Sequence, residues 1–274
     1  MLSITIDWLS FTVRDNENTE RFVRQNLCNE GSTQTTPLYG YTMATKYKIG
    51  CVRYTNPQRP EMGSHFVFSG STLKSLYDSE VSPFDLLETV VALGAKITRL
   101  DLAKDLRVSG LQIEPIWQAI QAGEYSGNSR NFRKIESLDG GYTIYIGAQT
   151  SDRQIRIYNK GAETKTGADW MRFEIQLRED AAKTTARVLA ANAQTCGAIF
   201  DGIARKMFSC NVSAYLAFRG DNVPLSLPKI EKQTDREAWI INQVIVSVMD
   251  HVRMNRDSKA AYRLYKALAS VYEQ

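Results

Sequence analysis

Three stretches of this chain alternate apolar and polar residues with a period of two. In 97–106, Arg99, Asp101 and Asp105 fall on one side of an extended strand, opposite Leu100, Leu102 and Leu106. In 153–160, Arg156, Tyr158 and Lys160 oppose Ile155 and Ile157. In 170–178, Arg172, Glu174, Gln176 and Arg178 oppose Met171, Phe173, Ile175 and Leu177. Successive side chains of a strand point to opposite faces, so each stretch can bury one face on a core and keep the other polar. If the three lie in one sheet, their charged faces converge on one surface. That surface would hold carboxylates, a tyrosine and several cations.

The rest of the chain predicts a mixed architecture. Residues 2–13, "TKYKIGCVRYT" and "SHFVFSG" read as strands, and 18–27 as a short helix capped by Asn18 or Thr19. "STLKSLYD" and "SPFDLLETVVALG" read as helices, the second with Ser82 as cap, Pro83 in its first turn and Gly94 at its stop. "IEPIWQAIQAG" and roughly 179–207 are helical, and "GGYTIYIGAQTSDRQIRIYNK" is a hairpin with its turn near Gln149–Asp152. The expected class is α+β, with a curved, mainly antiparallel sheet. "TRLDLAKD" (98–105) aligns with "MRFEIQLR" (171–178), matching Arg99 to Arg172 and Asp101 to Glu174. That weak repeat suggests two related halves, 1–110 and 111–222, followed by a helical tail over 229–274.

Several functions are excluded. The chain has 274 residues and a net charge of +4, which permits a polyanionic partner without requiring one. The four cysteines form no CxxC, so free thiols of a reducing compartment are expected. The N-terminus "MLSITIDWLSF" lacks a basic n-region and carries Asp7 within its apolar run, so it reads as a first strand of a cytoplasmic protein. No stretch is long and apolar enough to predict a membrane span. There is no GxxxxGK[ST], so nucleotide hydrolysis is not expected. An SxxK at Ser71, a Ser151-Asp152-Arg153 and a Lys165-Thr166-Gly167 follow the order of serine β-lactamase motifs. The middle motif has Arg in place of Asn, and the last two lie too close together for that fold.

Carboxylates on a polar sheet face can bind Mg²⁺ or Mn²⁺, and cations beside them can stabilise a phosphoryl group under attack. A tyrosine among them can act as a nucleophile, and flanking Arg156 and Lys160 would favour its phenolate. The alternative is a solvated face laced with cross-strand ion pairs.

The order "TRLDLAKD", "YTIYIGAQTSDRQIRIYNKGAE", "DWMRFEIQLR" resembles the Rep-trans family of replication initiation factors, over roughly residues 60–220. Members initiate rolling-circle replication of plasmids and filamentous phages or serve as relaxases of conjugative elements. The resemblance implies a DNA nicking and joining enzyme that keeps the 5′ phosphate on a tyrosine, assisted by a divalent metal. It implies Tyr158 as nucleophile and Asp101 and Glu174 as metal ligands, with Asp105 second in rank. Lys160 and Glu163 support the site, and Arg156 and Arg172 touch phosphate. Arg99, Arg153 and Arg178 are further DNA-binding candidates. Tyr145, on the partner strand of the hairpin, is an alternative nucleophile. Tyr142 reads as structural, Glu136 as a further carboxylate on an unplaced strand, and His65 as a strand-surface histidine. The His-hydrophobic-His metal motif of another initiator class is absent, since the two histidines, His65 and His251, lie far apart.

The implied partners are the origin DNA of a phage, plasmid or other mobile element and a host helicase. Plasmid members of the family work as dimers, so a homodimer is also implied. The tail carries Arg253, Arg256, Lys259, Arg263 and Lys266, a basic side suited to phosphates, at helical spacing that equally suits core packing or a dimer contact. The rival reading is a DNA-binding protein that keeps the fold without nicking, and needs neither Tyr158 nor a metal.

Overall fold

The computed structural model describes residues 4–227 except 28–30, 111, 137–140, 168, 220–221 and 226. The expected tail helices lie outside these residues. The chain divides at Pro228, and everything below concerns the unit before it.

The strands are β1 (Ile4–Val13), β2 (Gly31–Leu38), β3 (Tyr41–Tyr47), β4 (Val52–Thr55), β5 (Ser64–Phe68), β6 (Lys96–Leu106), β7 (Tyr125–Ser126), β8 (Phe132–Glu136), β9 (Tyr142–Ile146), β10 (Arg153–Asn159), β11 (Met171–Arg178) and β12 (Ser209–Cys210). The helices are α1 (Glu17–Asn26), α2 (Gly70–Asp78), α3 (Pro83–Ala92), α4 (Glu114–Ala122), α5 (Lys160–Glu163), α6 (Glu179–Ala191), α7 (Cys196–Met207) and α8 (Ser213–Phe218). Ten strands form one sheet in the order β2-β3-β4-β5-β1-β6-β11-β10-β9-β8, and β12 pairs with β7. Every pairing among the described residues is antiparallel. The α+β class with a large antiparallel sheet is as expected.

Read outward from the β1–β6 seam, both sides of the sheet have the same plan. β1 is followed by the ribbon β5-β4-β3-β2, and β6 by β11-β10-β9-β8. Position in this plan equates β6 with β1 and β11 with β5. The sequence alignment of β6 with β11 therefore does not mark a repeat; those strands are hydrogen-bonded neighbours, with Asp101 opposite Gln176 and Asp105 opposite Arg172.

Local signals explain the element ends. Asn16, rather than Asn18 or Thr19, caps α1 by accepting from the Thr19 amide. Ser82 caps α3 with Pro83 at its start. The expected helix over 179–207 is two helices, because Asn192 leaves the helical conformation and its side chain caps the short turn Ala193–Thr195. The apolar face of the C-terminal ribbon is covered by helices. Ile144, Ile146, Ile155, Ile157, Ile175 and Leu177 are fully buried, and Phe173 packs its ring on Phe200 of α7 and on Tyr215 and Phe218 of α8. Burying each such side chain contributes roughly 1.5–3 kcal/mol. Lys104 also points to this side, where its ammonium donates to the Phe218 carbonyl at 2.6 Å. This helix layer fixes β6, β11 and β10 from behind and leaves their charged faces to form a site.

Candidate active site

Strand register sets the polar face into rows. One row runs Asp105, Arg172, Tyr158, Thr143, Ile135 across β6, β11, β10, β9 and β8. The next runs Ala103, Glu174, Arg156, Tyr145, Arg133, and a third brings Asp101 opposite Gln176 and Gln154. Asp101, Glu174, Arg156, Arg172 and Tyr158 therefore come together, as the period-two pattern implied.

Tyr158 is 4% exposed, and its hydroxyl donates to Glu174 Oε2 at 3.2 Å. The Arg156 guanidinium lies 4.9 Å from the centre of its ring and the Lys160 ammonium 5.7 Å. The expected phenolate is not favoured. Burial raises the phenol pKa well above its ordinary value, and the Glu174 carboxylate raises it further, outweighing Arg172 and Arg156. Tyr158 is a neutral donor that needs a base, and Glu174 is in position to be one.

Glu174 and Asp101 are both 1% exposed. Glu174 accepts from Arg156 Nη1 at 3.0 Å, and Gln176 Nε2 donates to Glu174 Oε1 at 3.0 Å while reaching Asp101 Oδ2 at 3.5 Å. Arg99 grips both oxygens of Asp101, and its guanidinium lies over the Trp8 ring. Burial pushes the Asp101 carboxyl up to about 7, with Glu174 and Asp7 adding to the shift against Arg99. Asp7 of β1 is also raised, chiefly by burial and partly by Glu174. Asp105 stands apart, with both oxygens held by Arg172 Nε and Nη2 at 2.6 and 2.7 Å.

These donors suit a hard divalent cation in chemistry. They are buried carboxylates, and the charge of Glu174 raises the proton affinity of both Asp101 and Asp7, a repulsion that a bound cation relieves. Asp101 and Glu174, joined through Gln176, are the pair positioned for it. Among the described residues no three carboxylate, His or Cys side chains are gathered into a ligand set.

Other expected site residues occupy different positions. Arg172 is committed to Asp105 and, through Nη1 at 2.6 Å, to Asp7. Arg178 donates to the Ser151 carbonyl and to Gln176 Oε1. With Arg99 on Asp101, these three guanidinium groups brace the sheet face rather than present themselves to a phosphate. Arg153 has the parity of Ile155 and Ile157 and lies on the helix-covered side, in a separate groove with Arg130 and Lys206. Lys160 leaves the strand because Asn159 caps α5 by accepting from the Ala162 amide, and Lys160 pairs with Glu163. Tyr145 lies between Arg133, at 4.6 Å, and Arg156, at 5.8 Å from its ring centre. Tyr142 hydrogen-bonds Glu114. Glu136 pairs with Lys134 on the helix side, away from the carboxylates. His65 accepts or donates at Thr12 Oγ1 through Nδ1 and stacks on Tyr41.

Asp7 and Arg133 were not singled out as site residues from the sequence. Asp7 carried a signal, a lone carboxylate inside an apolar strand. Its neighbours become visible only when β1 is paired with β6.

Comparison with known proteins agrees with the fold. Residues 95–215 match the family model described as replication initiation factor, Rep_trans. A protein of Bacillus subtilis (strain 168) named "Putative DNA relaxase NicK" is 26% identical over 114 residues, covering 36% of this chain and 32% of that protein. The match thus spans about a third of that relative's length. The structure of a rolling circle replication initiator protein from Geobacillus stearothermophilus shares the fold, with a TM-score of 0.65 and 23% identity, covering 81% of this chain and 94% of that one. Every strand that supplies the Tyr158, Glu174 and Asp101 cluster lies inside the segment that is similar to the replication initiation factors of the Rep_trans model.

Proposed function

We propose that this protein nicks one DNA strand at the rolling-circle origin of a phage, plasmid or other mobile element, with Tyr158 as nucleophile. The observation that carries the reading is the Tyr158–Glu174 hydrogen bond beside Arg156. The Tyr158 oxygen attacks the scissile phosphorus as its proton passes to Glu174 Oε2. The bond from phosphorus to the 3′ oxygen breaks, and that oxygen takes a proton from water to become the 3′ hydroxyl that primes synthesis. The 5′ phosphate stays on Tyr158, and the returning 3′ hydroxyl reverses the steps to join the strand. Arg156 and Lys160 supply positive charge beside the phosphate. Asp101 and Glu174, through the oxygen that faces Gln176, would hold Mg²⁺ or Mn²⁺, which when bound supplies Lewis-acid stabilisation of the phosphate charge.

A second reading, DNA binding without nicking, is favoured by one observation, the near-complete burial of Tyr158. Covalent trapping separates the two. Supercoiled DNA carrying the native replicon is incubated with protein and Mn²⁺ or EDTA, and the products are denatured and mapped by mass spectrometry. The nicking reading expects nicked circles and a metal-dependent adduct on Tyr158 that disappears in Tyr158→Phe. An adduct on Tyr145 moves the nucleophile. DNA binding with no nick and no adduct establishes the second reading.

A further inference from the structure

Beside Tyr158 the sheet face changes character. The outer strands β9 and β8 continue its row with Thr143 and then Ile135, whose side chain is 46% exposed. Neighbouring strands lie about 4.8 Å apart, so a ligand leaving Tyr158 passes over Thr143 and reaches Ile135 within about 10 Å. A groove of about 230 Å³ opens along this path, lined by Ile135, Tyr142, Thr143, Tyr158, Asn159 and Glu163. It is below the roughly 300–1,000 Å³ typical of drug-sized ligands, a scale suited to a single planar group.

The floor and walls suit a base. Ile135 and the Thr143 methyl offer apolar contact. Tyr142 borders the groove, but its ring turns to the helix side, with its hydroxyl on Glu114 and the Lys134 ammonium 4.3 Å from its centre, so the apolar contact for a base comes from Ile135 and Thr143. The Asn159 Oδ1 is used as the cap of α5, which turns its amide group into a fixed polar edge at the groove. Along one side of the groove runs the alternating ridge Arg133, Tyr145, Arg156, Tyr158. Arg133 is exposed, and besides the Tyr145 ring it reaches the Gln149 side chain at 3.5 Å. An apolar slot flanked by cations complements an unpaired base flanked by phosphates.

We propose that the Ile135–Thr143 groove is a nucleotide pocket, which takes the unpaired base next to the scissile phosphate while Arg133 and Arg156 lie along its backbone. The proposal rests on the nicking reading and adds to it the residues that seat the base beside the nick. The strand must be unpaired at this nucleotide, because a base held in a duplex cannot enter a slot at the sheet edge. Tyr145 belongs to the cationic ridge.

The test is an abasic scan. Labelled single-stranded oligonucleotides tiling the native origin, each lacking one base, are titrated with wild type and with Ile135→Glu and Ile135→Ala, and binding is read by fluorescence anisotropy. Ile135 is exposed, and melting curves confirm that the variants fold. The expected result is one position, adjacent to the nick, where loss of the base weakens wild-type binding at least about five-fold. That penalty shrinks in Ile135→Ala and vanishes in Ile135→Glu. A penalty that persists unchanged in Ile135→Glu, or a scan with no sensitive position, overturns the pocket. The two readings fail separately. Coupling without any nicking by wild type keeps the pocket and removes the nickase. Tyr158-dependent nicking without coupling does the reverse.

Discussion

The hydroxyl of Tyr158 donates to Glu174 Oε2, while the other oxygen of Glu174 accepts from Gln176, whose amide also reaches Asp101. One carboxylate thus faces a phenol on one side and a second carboxylate on the other. Under the nicking reading proposed above, this double attachment would separate two roles within one side chain: proton acceptor toward Tyr158 and cation ligand toward Asp101.

Glu174→Gln is expected to keep the packing and lose the base. General-base removal typically costs 10²–10⁴-fold, so nicking in single-turnover assays should fall by at least about 100-fold. Binding of single-stranded DNA should change little. Parallel losses of binding and nicking would place Glu174 in DNA contact instead.

The carboxyl of Asp101 should leave a mark on stability in metal-free buffer. Its folded pKa of about 7 lies above the ordinary carboxylate value. The folded state therefore binds the proton more tightly, and stability declines as pH rises from the unfolded value through about 7. Asp101→Asn removes this liability. In EDTA its melting temperature relative to wild type should increase between pH 5 and pH 8. A difference independent of pH would show that burial does not shift this group.

Mn²⁺ should stabilise wild type in a thermal melt, by about 2.7 kcal/mol at a hundred times the dissociation constant. The shift should be lost in Asp101→Asn and in Glu174→Gln and retained in Asp105→Asn, whose parent carboxylate is held by Arg172. Loss in Asp105→Asn alone would relocate the cation.

Arg172 ties β1 to β6 by holding Asp7 and Asp105 at once. Arg172→Ala leaves two carboxylates facing each other, and breaking such a partly buried pair costs on the order of 3 kcal/mol. Lysine cannot reproduce the fork, so Arg172→Lys should recover only part of this in urea denaturation. Full recovery by lysine would mean that charge alone matters.

The connector after α8 lies directly on α7. Leu225 donates its amide to the Ala198 carbonyl, and a Cβ at Gly202 would stand 2.4 Å from the Leu225 carbonyl oxygen. Gly202→Ala should therefore release this connector, seen as faster proteolysis near 222–227 with little change in global melting. Unchanged proteolysis would mean the connector is held elsewhere.

Much of this arrangement was legible in the residues. Period-two alternation assigned β6, β10 and β11 and the side of each that carries charge, because a pleated strand allows no other parity. It could not give partners. Arg99, Arg172 and Arg178 share a face with the carboxylates, and whether they grip them or await a phosphate depends on register. Lys160 illustrates a missed local signal: Asn159 ahead of "KGAE" is a helix cap, and the strand parity stops there. The phenolate expectation weighed the adjacent cations and not the burial, which no local pattern reports. Strand β8 was unreadable as a face because "FRKIE" alternates only weakly.

The β1–β6 seam has a practical consequence for anyone isolating residues 95–215 on their own. Residues 95–215 look self-sufficient in sequence, yet β6 is sandwiched, bonded to β11 on one side and to β1 on the other. A fragment cut at residue 95 would carry an unpaired eleven-residue strand margin in mid-core, without Asp7 to hold Arg172. Such margins recruit other chains. The excised segment would self-associate along β6, and the full sheet is the smallest unit in which the Tyr158 face can be studied.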